Sequence, residues 1–298
     1  VGHVDPPPFG IPLGLALSWA FNVLRISVLM IIGIEVSPDL AVGGFHSHAG
    51  WLAFTLLSTG LIAVAYNVPL FRSGDPVAAA PEAPAALPPL REDPIAARIL
   101  PFAVFMLSAL LASTFVELPA LAYPLRAVAV TAALALFWPM IAALPWRLDL
   151  VALGSGVVCG VLWIATAAPP EGEDTALADA LAAMPAALLA VWVVSRVIGT
   201  AVLVPLVEEL FFRGYVQDRL GEVLSRAGPL LATICAVAIS SVLFGLLHDR
   251  WLAGILAGVL FGLVYLRRRN LTDAILSHAA ANLVIAAAAL GTGDWSLI

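Results

Sequence analysis

Long apolar runs, each closed by a short group of charged residues, prolines or glycines, set the pattern of this chain. An α-helix needs about 20 apolar residues to cross a hydrocarbon core about 30 Å thick. On that measure the pattern predicts nine crossings, at 11–36, 50–71, 96–118, 124–145, 149–168, 178–206, 229–248, 252–266 and 271–290. No long strands of alternating polarity suggest a barrel. The fold class expected is all-α, a polytopic transmembrane helical bundle. The interval 178–222 is too long for one crossing, so a kink at Pro205 or a split into two helices is expected there. Between the second and third crossings, the segment 72–95 opens "RSGDPVAAAPEAPAALPPLRED". Its prolines deny it a helix interior and it has no apolar face, so it reads as a linker. Three parts follow: 1–71 with two helices, the linker 72–95, and a larger bundle over 96–298.

Composition agrees with this picture. Hydrophobic residues make up 62% of the 298 and charged ones 11%, where soluble proteins carry about 25%. An integral membrane protein embedded in a lipid bilayer is expected, with a bacterial inner membrane as its location. All 14 basic residues are arginine. Arg72, Arg91, Arg147, Arg219, Arg226 and the Arg267–Arg269 run all fall on one, cytoplasmic, side if the N-terminus lies inside. The acidic stretch "PPEGEDTALAD" at 169–179 then forms an outer loop, as does 37–50, and Arg250 is the exception on the outer side. Trp51, Trp146 and Trp251 stand near predicted helix ends, where tryptophan anchors at the interface. A net charge of −6 without a basic stripe speaks against a nucleic-acid partner. Cys159 and Cys235 sit in apolar runs without metal or disulfide spacing and read as small hydrophobes. No basic region precedes the first apolar run, so the start does not resemble a signal peptide.

Candidate chemistry gathers in the C-terminal bundle. "VPLVEELFFRGY" places Glu208, Glu209 and Arg213 among valine, leucine and phenylalanine. On a helix Glu209 and Arg213 share a face, four residues apart, while Glu208 points about 100° away. Ionisable groups in a membrane helix face a protein interior or a wet cavity, because exposure to lipid costs about 2.5–3.5 kcal/mol each on insertion scales. "SSVLFGLLHDRW" ends an apolar run with His248, and "ILSHAAANLV" puts His278 and Asn282 on one face of the last helix. A structural ion pair and two hydrogen-bonded core histidines would account for each stretch alone. Together they supply a base, an imidazole partner and polar donors suited to an oxyanion.

EExxxR, FxxxH and HxxxN, in that order on membrane helices, resemble the CPBP family of intramembrane proteases, which includes the CAAX prenyl endopeptidases (Ras-converting enzymes) and Abi-type bacteriocin-immunity proteins. The resemblance covers about 96–290. It implies an endopeptidase acting on a membrane protein or peptide, whether membrane-associated or C-terminally tagged. Glu208 and His248 would activate a water, His278 and Asn282 would hold the oxyanion, and Glu209 with Arg213 would order the site. Two mechanisms stay open: a zinc ion on Glu208, His248 and His278, as in a metalloprotease, or a glutamate–histidine pair without a cofactor. HExxH is absent.

The N-terminal part carries a second likeness. "FNVLRI" followed by "GFHSHAGW" resembles the C-terminal end of exosortases, membrane cysteine transpeptidases. That likeness implies that Arg25 and His46 belong to a Cys/Arg/His site whose cysteine lies upstream of Val1. Both likenesses together resemble exosortase E/protease fusion proteins, of which this chain would be the C-terminal portion. The competing expectations are a truncated transpeptidase lacking its nucleophile and a non-catalytic membrane immunity or binding protein.

Overall fold

The computed structural model describes residues 89–167 and 173–298, with isolated helical positions between Trp19 and Glu35. Most of the first crossing, the whole of the second, most of the linker, Arg25 and His46 lie outside the described residues. The chain divides into two compact units, Val1–Leu87 with Leu110–Phe115 and Pro88–Ala109 with Val116–Ile298. Glu208, Glu209, Arg213, His248, His278 and Asn282 all belong to the second.

That unit is an all-α membrane bundle, without a strand among the described residues. Its principal helices are α1 (Pro94–Phe115), α2 (Tyr123–Leu136), α3 (Trp138–Ala142), α4 (Leu150–Ala165), α5 (Glu173–Ala182), α6 (Ala186–Arg226), α7 (Pro229–Gly245), α8 (Trp251–Arg268) and α9 (Leu271–Thr292). Among the described residues α1, Pro119–Leu136, α6, α8 and α9 are long and apolar enough to cross a membrane, and α4 and α7 are shorter apolar helices.

Side-chain caps set three of the helix starts. Asp93 accepts hydrogen bonds from the Ile95 and Ala96 amides and Pro94 follows it, so α1 begins inside the segment read as linker. Asp149 caps α4 by accepting from Ala152, and Asn270 caps α9 by accepting from Thr272. Arg269 joins α8 to α9 in a left-handed conformation, φ 51°.

Three expectations change. The crossing at 124–145 breaks at Phe137, because Pro139 has no amide to continue the helical ladder. The acidic stretch is not all loop: α5 forms there, since Leu177 and Leu181, one turn apart, bury against Trp192. The interval 178–222 splits into two helices, as one of the two readings expects, but between Ala182 and Ala186, and the second helix continues through Pro205. Helix α6 starts at Ala186, after Pro185, and runs on for 41 residues, absorbing the region expected to connect two crossings. It contains two π-helical stretches, Gly199–Leu203 and Phe212–Gln217.

Helix pairing uses small residues to bring backbones together, as membrane helices do. Helix α9 packs most extensively on α4, where Gly156 and Gly160 face it: a Cβ built on Gly156 would stand 2.0 Å from the Ser277 carbonyl oxygen. Ser155 and Ser277 share a hydrogen bond of 3.0 Å in the same seam. Helix α8 also lies close to α7, where a Cβ built on Gly254 or Gly258 would stand 2.9 Å from Gly245 Cα or 3.0 Å from Ser241 Cα.

At one end of the bundle the arginines expected to mark the cytoplasmic face form an ionic network. The fully buried Asp273 accepts from Arg268 Nε and Asn270 Nδ2, both at 3.0 Å. Arg267 and Arg147 approach it at 3.6 and 3.9 Å, and Asp149 pairs with both Arg267 and Arg268. The network thus holds the N-terminus of α4 to the α8–α9 turn.

Two stability outcomes follow. Asp273→Ala leaves Arg267 and Arg268 to Asp149 alone, and is expected to cost less than the about 3–5 kcal/mol of a fully shielded broken pair, because both arginines keep that partner and remain a third exposed. Arg219→Ala, in the exposed pair with Glu222, is expected to change stability by less than about 1 kcal/mol. Thermal unfolding in detergent compares them, and equal effects would contradict the structural role of the network. Along α4, Gly156→Ala is expected to lower the melting temperature through its clash with Ser277. Gly154→Ala, where the added carbon meets open space, is expected to raise it. The same sign for both would refute the proposed seam.

Candidate active site

Helix α6 supplies the charged centre. Glu209 and Arg213, one turn apart, pair at 2.8 Å with both side chains wholly buried. The partnership is the one that helical spacing predicts. Arg213 also donates from Nη2 to the Gly258 carbonyl at 2.7 Å, which ties α6 to α8. Its guanidinium lies 4.7 Å from the Phe244 ring centroid and 5.6 Å from that of Phe261. Charge, hydrogen bond and aromatic faces together make burial of this arginine tolerable.

The same carboxylate reaches a third helix. Glu209 Oε1 lies 2.8 Å from His278 Nδ1 on α9, as well as from Arg213. An ionised Glu209 accepts only, so His278 holds its proton on Nδ1 and turns Nε2 toward the other side. There Glu208 Oε2 stands 4.0 Å away, buried and without a hydrogen-bond partner. The ring of His278 stacks on Phe261, with centroids 4.6 Å apart and planes at 16°. Its rotation is thereby restricted from the face as well as from the edge.

His248 comes from the turn after α7. Its Nδ1 lies 2.9 Å from the Phe244 carbonyl. A carbonyl accepts, so Nδ1 is the protonated nitrogen and Nε2 of the neutral ring carries a lone pair. The ring rests at 4.7 Å on Phe244 and edges onto Trp163 at 5.8 Å. Arg250 holds this turn from below its own helix, donating to the Trp163 carbonyl at 2.9 Å and to Thr166, with its guanidinium 4.5 Å from the Trp163 ring. The sequence places His248 nearer the outer face than His278. Helix α7, however, has 17 residues and rises only about 25 Å, so its end need not reach the far side of the hydrocarbon. Phe244 then touches both imidazoles, its centroid 5.8 Å from that of His278.

Asn282, one turn beyond His278, donates from Nδ2 to the Thr200 carbonyl at 2.8 Å. The first π-helical stretch explains why that carbonyl is open. Val204 donates its amide to Gly199, five residues back, and Pro205 has no amide to give. One turn of α6 thus presents an acceptor that orients the carboxamide.

Glu208, His248, His278 and Asn282 line one cavity of about 450 Å³, while Glu209 and Arg213 lie behind it. A carboxyl group, two imidazoles and an amide in one chamber can move a proton and donate to a developing negative oxygen. Among the described residues no three His, Cys, Asp or Glu side chains are grouped to hold a metal ion.

Other residues of the wall were not singled out by sequence reasoning: Trp163, Thr200, Cys159, Arg126 and Arg196. For the two arginines a signal was present, since each is a charge inside a predicted crossing. Trp163 and Thr200 carry none, because their importance arises from contacts 85 and 82 residues away, to His248 and Asn282.

No curated protein and no solved structure matches this chain. One family does: residues 189–284, which span Glu208, Glu209, Arg213, His248, His278 and Asn282, match the family described as type II CAAX prenyl endopeptidase Rce1-like.

Proposed function

We infer that this integral membrane protein is an intramembrane endopeptidase that hydrolyses a peptide bond with a water activated by Glu208 and His248. The observation that supports it is the convergence of four polar side chains, from two helices and a turn, on one cavity of a largely apolar bundle.

Charge balance suggests how the site works. Glu208, Glu209, Arg213 and His278 are buried together. A low-dielectric site favours neutrality, so two carboxylates and one guanidinium call for one further proton, shared between Glu208 and His278. With that proton on His278, Glu208 is ionised and His278 Nε2–H is a donor. The water lies between Glu208 and the Nε2 lone pair of His248. As its oxygen bonds to the substrate carbonyl carbon, Glu208 takes one proton. The carbonyl oxygen gains negative charge and receives hydrogen bonds from His278 Nε2–H and from the second Nδ2 proton of Asn282. When the C–N bond breaks, the proton held by Glu208 passes to the leaving amine, and the other product is a carboxylic acid. Glu209 and Arg213 position His278 and do not touch substrate.

Paired variants separate base from support. Glu208→Gln keeps volume and removes basicity, and is expected to lower cleavage by at least 10²-fold with an unchanged melting temperature. Glu209→Gln leaves Arg213 poorly compensated, and is expected to cost about 3–5 kcal/mol of stability along with activity. Cleavage of a hydrophobic peptide library, read by mass spectrometry in proteoliposomes, is set beside melting in detergent. Near-normal cleavage by Glu208→Gln would end the assignment of Glu208 as base.

Metal removal tests the cofactor-free route. Prolonged treatment with 1,10-phenanthroline, followed by dialysis, is expected to leave the cleavage rate within twofold of untreated protein. A loss that added zinc restores would replace this mechanism with a metal-dependent one.

A further inference from the structure

A second cavity, of about 370 Å³, shares no lining residue with the catalytic one and lies where α8 ends in the Arg267–Arg269 run. The last turns of α6 and the first turn of α7 complete its walls. Gln217 is the most deeply buried polar residue of the lining, 3% exposed, and it ends the π-helical stretch that begins at Phe212. Both Nε2 and Oε1 of its carboxamide are buried without a hydrogen-bond partner. Among the described residues no other side chain leaves two such atoms open. Oε1 rests against α8, where a Cβ built on Gly262 would stand 2.9 Å from it. A donor and an acceptor are thus held together in an apolar seam, and a ligand carrying both would satisfy them. The terminal torsion of glutamine is broad, so the carboxamide can turn to such a ligand without strain.

Charges of both signs surround the carboxamide. Arg267 and Arg268 turn to Asp149 and Asp273. Arg269, in its left-handed conformation, instead lines this cavity and stands 3.8 Å from Asp218, too far for a hydrogen bond. Asp218 accepts from Tyr265 at 2.7 Å, and Glu222, one turn further along α6, is exposed and paired with Arg219. The first turn of α7 borders the same space. Its cap, Gly228, has no side chain to accept from the first amides, so the helix presents its positive end uncompensated. An anion therefore has a place between Arg269 and the start of α7. A cation with N–H donors has one at Asp218, Glu222 and Gln217 Oε1. Ala232, Ala236 and Leu266 add an apolar wall, beside which Leu230 and Leu231 are exposed as lipid-facing residues are. We propose that this cavity binds the zwitterionic headgroup of phosphatidylethanolamine, with the phosphate at Arg269 and the α7 N-terminus and the primary ammonium at the two carboxylates and Gln217. A quaternary ammonium carries the same charge but has no N–H to give, so the site discriminates between the two headgroups. The assignment is independent of the proteolytic reading of the other cavity.

The test titrates three lipids that share their acyl chains, dioleoyl phosphatidylethanolamine, phosphatidylcholine and phosphatidylglycerol, into the delipidated full chain in detergent, with native mass spectrometry as the readout. Phosphatidylethanolamine is expected to bind about tenfold more tightly than either of the others, the worth of one charged hydrogen bond. Gln217→Leu replaces the unpartnered carboxamide with an apolar chain of similar size. It and Asp218→Asn are each expected to bring the preference over phosphatidylcholine below about threefold. Arg269→Asn, which suits the left-handed backbone, is expected to weaken both of these lipids alike and leave their ratio unchanged. Equal binding of phosphatidylethanolamine and phosphatidylcholine by wild-type protein overturns the proposal, whether or not the variants fold. Tightest binding of phosphatidylglycerol also overturns it, by making the cavity a simple anion site. A full preference that survives in both Gln217→Leu and Asp218→Asn would place the lipid elsewhere on the bundle and overturn it as well. Soluble O-phosphoethanolamine supplies the last arm. Displacement of the lipid by an equal concentration of it would assign the cavity to a soluble zwitterion and overturn the lipid assignment, whereas retention of the lipid sustains it.

Discussion

One oxygen of Glu209 accepts from Arg213 and from His278, each at 2.8 Å, in a place closed to solvent. The rest of the site depends on this junction. Arg213 is wholly buried and would be intolerable without its carboxylate. Once held, it ties α6 to α8 through the Gly258 carbonyl, and the carboxylate ties α6 to α9 through the imidazole. Three helices are therefore set in register by two charged side chains. The orientation of His278, and with it the approach of its Nε2 to Glu208, follows from that register rather than from any contact of its own with the cavity.

Aromatic rings complete the support. Phe244 touches both imidazoles and the Arg213 guanidinium, and Phe261 lies under His278 and beside the same guanidinium. Each ring offers a π-face to a cation and an apolar wall to the chamber, so it can desolvate the polar groups without leaving them unpartnered. Close backbone approach makes room for this arrangement. Glycines on α4 and α8 let neighbouring helices come near enough for side chains from α6, α7 and α9 to meet in one chamber.

Departures from regular helix fall where the chemistry needs them. The π-helical stretch before Pro205 releases the Thr200 carbonyl to Asn282. The early end of α7 brings His248 beside Phe244 rather than carrying it to the far surface. Both are local interruptions of the helical ladder whose freed groups are taken up by a side chain from elsewhere.

The sequence by itself determined what depends on neighbours along the chain. Apolar run lengths specify the helices and the bilayer as their solvent, a four-residue spacing specifies the pairing of Glu209 with Arg213, and Asp93–Pro94 specifies the start of α1. The cost of charge in lipid marked Glu208, His278 and Asn282 as inward-facing before any fold was known. The tertiary structure alone decided the contacts between distant residues: Glu209 with His278 across 69 positions, Asn282 with Thr200 across 82, and Arg126 with Arg196 over the ring of Tyr123. It also decided the extent of α6. Helix α6 continues past Pro205, because a π-helical turn absorbs the missing amide and Asn282 satisfies the carbonyl left behind. Helical periodicity says which face a residue occupies. Which face it meets is set by packing of the whole bundle, and on that the linear pattern is silent.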